Sequence, residues 1–291
     1  MNKLGLGTVQ FGLDYGLSTS EGRVPSNEVT YILNYASDKR IDMLDTAPSY
    51  GESEKVLGSN SINNFKIVTK TQNIAAPKVS SSDVKLIDKI FMKSLKNLNI
   101  NSAYGLLVHD VRDLLKFGSE KLYGLLTNLK KEQKIRKLGV SIYDKGQLES
   151  ILDLYDIDLV QLPLNILDRR LIDSDILTRL KNRGVEIHVR SVFLQGLLLM
   201  PKNQIPDKFV RWEQTWNIWH EWLADNEISA LEASLRYAVA FPEVSKVLVG
   251  VESLNQLKEI SRAINGVLPD LPKNLQIDDI DLLNPTNWSN L

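Results

Sequence analysis

Apolar residues along this chain fall in short, nearly unbroken runs, and between the runs they return at helical spacing. Runs at residues 4–11, 41–45, 65–70, 104–109, 135–141, 158–162, 185–191 and 244–250 read as eight strands. They are apolar throughout rather than alternating, as strands covered on both faces are. Amphipathic stretches at 26–39, 52–58, 83–98, 119–132, 147–154 and 231–241 read as helices, the first capped by Ser26. A strand followed by a helix, repeated at intervals of roughly thirty residues, predicts an α/β fold with one domain over 1–291, a closed parallel (β/α)8 TIM barrel. An open doubly wound sheet is the rival. It would announce a nucleotide site with Gly-x-Gly-x-x-Gly after the first strand, and Gly5, Gly7 and Gly12 do not fit that spacing.

Two stretches stand outside the repeat. Residues 200–226 make a long excursion after the seventh strand, with Trp212, Trp216, Trp219 and Trp222 at near-helical spacing. Residues 265–291, with Pro269, Pro272 and Pro285, form a tail without a clear period, placed near the barrel mouth.

Charge and composition narrow the partners. The net charge is −1 and no run of Lys or Arg stands out, which argues against nucleic acid and against an anionic membrane surface. There is no cysteine, so disulfides, thiolate nucleophiles and Cys-based metal sites are excluded. No apolar run is long enough to cross a bilayer, and no signal-like segment opens the chain, so a cytoplasmic protein is expected. His188 and His220 lack further ligands at metal-binding spacing, and no metal is assigned. The expectation is a monomer or small homo-oligomer acting on a small molecule.

In a barrel of this kind, chemistry is carried at the carboxyl ends of the strands. Asp45, Lys70, His109, Ser141, Gln161 and Arg190 all fall at or near such ends, and Tyr50 follows a turn built around Pro48. Taken singly, each has a blander explanation: a lysine after a strand is commonly solvated, and a histidine before Asp110 could cap the next segment. The set as a whole is more specific. Asp45 in Leu-Asp-Thr-Ala, Tyr50 in Tyr-Gly-x-x-Glu, Lys70 in Val-Thr-Lys and His109 in Leu-Val-His-Asp resemble the catalytic tetrad of the aldo-keto reductases.

That resemblance implies reduction of an aldehyde or ketone by NADP(H) or NAD(H). Tyr50 would give the carbonyl oxygen its proton, Lys70 would stabilise the phenolate, Asp45 would hold Lys70 charged and oriented, and His109 would align the substrate oxygen. It also implies a cofactor site. Ser141 and Gln161 would grip the nicotinamide carboxamide. Arg190, Ser191, Leu194, Gln195 and Gly196 would lie toward the pyrophosphate, and Gly250, Glu252, Ser253 and Gln256 toward the adenosine.

The sequence departs from the family pattern at several positions. Ile142 replaces an asparagine that follows the serine, Arg190 takes a position often held by a ring, and Ile260 stands where an asparagine is common near the adenine. Glu252 stands where many relatives carry an arginine for the 2′-phosphate, which weakens the case for NADPH over NADH. Phe11, Tyr15, Trp212 and Trp288 are candidate walls of the substrate pocket, although aromatics packed on the barrel rim are the simpler reading of the tryptophans. The chain begins too near its first strand for the full hairpin that commonly closes the bottom of the family's barrel. Two other functions stay open: a carbohydrate-active hydrolase or isomerase using paired carboxylates such as Asp45 and Glu52 or a divalent ion, and a cofactor-binding regulatory barrel without turnover.

Overall fold

A computed structural model describes residues 2–17, 22–172 and 175–291. Eight parallel strands close in sequence order into a barrel: β1 (Leu4–Gly7), β2 (Met43–Asp45), β3 (Lys66–Lys70), β4 (Ala103–Val108), β5 (Ile135–Ser141), β6 (Leu159–Pro163), β7 (Glu186–Arg190) and β8 (Lys246–Gly250). Around them run α1 (Ser26–Asp38), α2 (Ser53–Gly58), α3 (Ser81–Leu98), α4 (Glu120–Lys131), α5 (Lys145–Leu154), α6 (Ile176–Asn182), α7 (Glu213–Asp225), α8 (Ala230–Val239) and α9 (Leu254–Ala263). The (β/α)8 architecture read from the sequence is the one observed.

Strand alternation sorts the barrel interior into layers, because residues two apart share a face. On β3 that face carries Lys66, Val68 and Lys70. Met43, Val68, Leu107, Leu159 and Leu248 form a small apolar cluster of their own, separate from the large core between strands and helices. Gly139 belongs to this middle layer, and a side chain there would strike the Leu159 backbone oxygen at 2.3 Å. One residue pair above the cluster lies the polar mouth, with Asp45, Lys70 and Gln161. One pair below it, at the amino ends of the strands, lie Lys66, Lys246 and Glu186.

Several expected boundaries move. The first strand stops at Gly7, not residue 11, because Val9–Phe11 turns into a 3-10 helix. Thr8 makes that turn, its Oγ1 donating to the Asp45 backbone oxygen at 2.9 Å. Ser26 is not the cap of α1: Pro25 occupies the cap position and Ser26 is the first helical residue. Helix α6 went unread, since its apolar Ile176, Leu177 and Leu180 are embedded among polar residues.

The excursion at 200–226 contains 3-10 turns followed by α7, whose Trp216, Trp219 and Trp222 are all buried. The tail packs against this unit. Trp222 Nε1 donates to the Asp270 oxygen at 3.0 Å, Trp212 Nε1 to Asp279 Oδ2 at 3.1 Å, and Arg211 pairs with Asp281 at 2.7 Å. Among the described residues no helix is long and apolar enough to cross a membrane.

Candidate active site

The site begins with how Tyr50 is delivered. After β2 the chain turns through Ala47 to Gly51 and enters α2, whose Ser53 is buried and donates through Oγ to the Thr8 oxygen at 2.8 Å. Gly12 lies against the same turn, where a side chain would collide with the Tyr50 backbone oxygen at 1.9 Å and the Ser53 backbone nitrogen at 2.3 Å. The loop after β1 thus fits against the tyrosine-bearing turn with no room to spare.

Lys70 is 2 % exposed and Asp45 5 %. Lys70 Nζ donates to Asp45 Oδ1 at 2.5 Å and to the Thr46 oxygen at 3.0 Å. It also stands 4.9 Å from the centre of the Tyr50 ring. Burial alone would pull the Lys70 ammonium down; the Asp45 charge, with the hydrogen bonds to Asp45 and Tyr50, outweighs it and holds it above its ordinary value. The lysine is therefore a fixed cation beside the phenol. Asp45 is held at its other oxygen too, where Gln161 Nε2 donates to Oδ2 at 2.7 Å.

His109 follows β4, and its ring stands edge-on to Tyr50, with centroids 6.3 Å apart and planes at 84°. Burial first, and then the Lys70 charge, lower its pKa to about 4. At neutral pH the imidazole is uncharged, able to donate one hydrogen bond and accept another.

These four side chains line one cavity of about 640 Å3. Of the expected cofactor contacts, Ser141, Gln161, Arg190, Ser191, Gln195 and Gly196 also line it, as do Gly250, Glu252 and Gln256 across the mouth. Leu194 and Ser253 do not. Leu194 is fully buried in the hydrophobic core, and Ser253 caps α9 by accepting from the Gln256 nitrogen.

Of the proposed substrate walls only Tyr15 reaches the cavity. Phe11 is 0 % exposed within the core, because the 3-10 turn aims it inward. Trp212 and Trp288 are buried against Phe209, with ring centroids 6.1 and 4.9 Å away, and among the described residues none of the 265–291 tail lines the cavity. Glu52, the suggested partner of Asp45 in a hydrolase, stays outside and pairs with Lys55 at 2.9 Å. Among the described residues no group of three potential metal ligands is found.

The loop after β7 is the most strained part of the site. Ser191, Leu194 and Gln195 have φ of 60°, 48° and 52°, in the left-handed region that costs a non-glycine residue energy, and Gly196 follows at 92°. Two bonds tie this loop across the mouth to the one after β1: Gln195 Nε2 donates to the Tyr15 hydroxyl at 2.9 Å, and the Leu17 nitrogen to the Gln195 oxygen at 3.1 Å.

Sequence reasoning missed Tyr143 and Glu259. The Arg190 guanidinium lies 4.2 Å from the centre of the Tyr143 ring and donates to the Ile142 oxygen at 3.1 Å. A cation at a strand end followed by an aromatic on the neighbouring loop is the signal that could have found it. Glu259 lies three residues beyond Gln256 on α9, and helical spacing puts both on the cavity side.

The profile of the Aldo/keto reductase family matches residues 3–281. Among characterised proteins, the NADH-specific methylglyoxal reductase of Escherichia coli (strain K12) is 23% identical over 263 residues, covering 79% of this chain and 80% of that protein. L-galactose dehydrogenase of Arabidopsis thaliana is 26% identical over 264 residues, covering 84% and 80%. In structure the chain is similar to an aldo-keto reductase from Bacillus halodurans in its holo form, with TM-score 0.71, 19% identity and coverage of 94% and 89%. It is also similar to a glycerol dehydrogenase from Gluconobacter oxydans, with TM-score 0.65, 20% identity and coverage of 94% and 95%.

Proposed function

Because the chain belongs to the aldo/keto reductase family, an oxidoreductase family that uses NAD(P)H, we propose that it reduces a small aldehyde or ketone to the alcohol, reversibly, with Tyr50 as the acid. The observation that carries this reading is the convergence of Tyr50, Lys70, Asp45 and His109 at one end of the large cavity. The bound cofactor would supply a hydride to the carbonyl carbon. As that C–H bond forms, the carbonyl π electrons move to oxygen, where a donor is needed. Tyr50 stands there beside the Lys70 ammonium, which stabilises the phenolate left when the proton is given up. His109, neutral over the working range, holds the substrate oxygen by a hydrogen bond without competing for the proton. Ser141 and Gln161, at the ends of β5 and β6, would hold the nicotinamide carboxamide, and the loop after β7 would lie along the pyrophosphate.

The adenosine end favours NADH. Glu252 and Glu259 line it, and a carboxylate repels a 2′-phosphate while it can accept from a ribose hydroxyl. That one relative is named as NADH-specific is consistent with this choice.

The test measures oxidation of NADH and of NADPH with a panel of small aldehydes, ketones and aldoses, including methylglyoxal, for wild type and Tyr50→Phe. The reading expects turnover that falls about 1,000-fold in the variant. Tight cofactor binding without turnover would establish the regulatory barrel instead. A strong preference for NADPH would remove the argument from Glu252 and Glu259.

A further inference from the structure

The contacts at the mouth do not stop at the ion pair. Asp45 spends one carboxylate oxygen on Lys70 and the other on Gln161, at 2.5 and 2.7 Å. A carboxylate beside an ammonium has no proton to offer, so the atom Gln161 turns toward it is the amide nitrogen. Its carbonyl Oε1 then accepts no hydrogen bond from the described residues, although Gln161 lines the cavity while being only 1 % exposed. The result is a chain of four side chains from three strands and one turn: Gln161 on β6, Asp45 on β2, Lys70 on β3 and Tyr50 after β2.

We propose that Gln161 is a positioning residue that, through Asp45 and Lys70, sets how readily Tyr50 gives up its proton. The physical step is simple. A carboxylate whose second oxygen accepts a hydrogen bond is a weaker base, and it draws less on the Lys70 proton. More of the ammonium's positive charge then acts on the phenol. With Asp45, Lys70 and Gln161 all buried, these effects are transmitted with little screening. A group that donates to Oε1 from the cavity polarises the amide and strengthens its bond to Asp45, so an occupied cofactor site makes Tyr50 a better acid. This last part rests on the reductase reading; the relay itself does not.

The relay can be read without turnover. The chain holds nine tyrosines, and subtracting the phenolate absorbance titration of Tyr50→Phe from that of the parent isolates Tyr50. In cofactor-free Gln161→Met, which keeps the side-chain volume and removes the donor, Tyr50 is expected to ionise at a pH higher by about half a unit or more. Measured the same way, Gln161→Glu is expected to shift Tyr50 upward further once the new carboxyl ionises beside Asp45. Each variant needs its own Tyr50→Phe partner for the subtraction.

A Tyr50 titration that does not move in folded Gln161→Met overturns the proposal, whether or not cofactor binding weakens, because a mere grip on the cofactor predicts weaker binding and no shift in the free protein. If Gln161→Met fails to fold, Gln161→Glu decides by the same criterion. The reductase reading fails separately, through turnover that is indifferent to Tyr50→Phe.

Discussion

The two ends of this barrel are built from the same kinds of side chain and arrange them differently. At the carboxyl end, Lys70 pairs with Asp45 beside Tyr50 and His109. At the amino end, Lys246 pairs with Asp42 and donates to the Asn2 oxygen at 2.8 Å. Lys66 bonds the same aspartate at 3.0 Å, and Tyr104, Glu186 and His188 lie close by. A census of residue types would find Asp, Lys, Tyr and His at both ends. The difference lies in what the phenol touches. Tyr104 donates to Glu186 Oε2 at 2.7 Å, and burial together with that carboxylate pushes its pKa well above the ordinary phenol value. Tyr50 has an ammonium for its neighbour and the large cavity in front of it. An acid site needs its tyrosine next to the cation, with space for a substrate; in the lower cluster the tyrosine faces a carboxylate instead.

The sharpest way to break this contrast is to remove the lysines. Lys70→Met is expected to lower kcat/KM for carbonyl reduction about 1,000-fold, while Lys246→Met leaves it within about twofold. Steady-state kinetics on both variants checks this, and comparable losses would mean that the ends are not functionally distinct. Asp42→Ala comes next. It leaves Lys246, 2 % exposed, without its nearest counter-charge, and should cost about 3 kcal/mol in denaturant unfolding with turnover per folded molecule unchanged.

His109 sharpens the comparison through pH. Its folded pKa of about 4 lies below the ordinary histidine value of 6.5, so the unfolded chain takes up the proton first as pH falls. The stability that comes from keeping this ring neutral is whole above pH 6.5 and is lost progressively between 6.5 and about 4. Unfolding free energies measured across that window should fall less steeply in His109→Gln than in wild type. The smallest effect is expected of Tyr104→Phe. Glu186 keeps His188 at 2.7 Å and Lys137 at 2.8 Å, so the loss should be about 1 kcal/mol, with turnover unaltered.

The upper end was legible in the sequence and the lower end was not. Strand ends can be located from apolar runs, and polar residues placed there stand out; β5 was read at its observed bounds, 135–141. Position alone did not single out Asp45, Lys70 and His109; that took the set as a whole and its resemblance to the reductase tetrad. The lower network depends on cross-strand register, such as His188 opposite Lys246, which no single segment reveals. Pocket walls were the least legible. Phe11, Trp212 and Trp288 are aromatics in loops and turns, and whether such a ring faces a cavity or the core is decided by the turn that precedes it. The short helix α6 shows a related limit, since three apolar residues among polar ones give too little periodicity to separate a helix from a loop.

The apolar middle layer has a kinetic consequence. The side chains of Met43, Val68, Leu107, Leu159 and Leu248 carry no exchangeable hydrogen, so where they stand between the two ends they pass none along. On the reductase reading proposed above, a phenolate formed at the mouth would be recharged from the open side, through the cavity that the alcohol product has to leave. Uptake of a hydrogen ion from the medium, followed with an indicator dye, should trail departure of that product and never precede it.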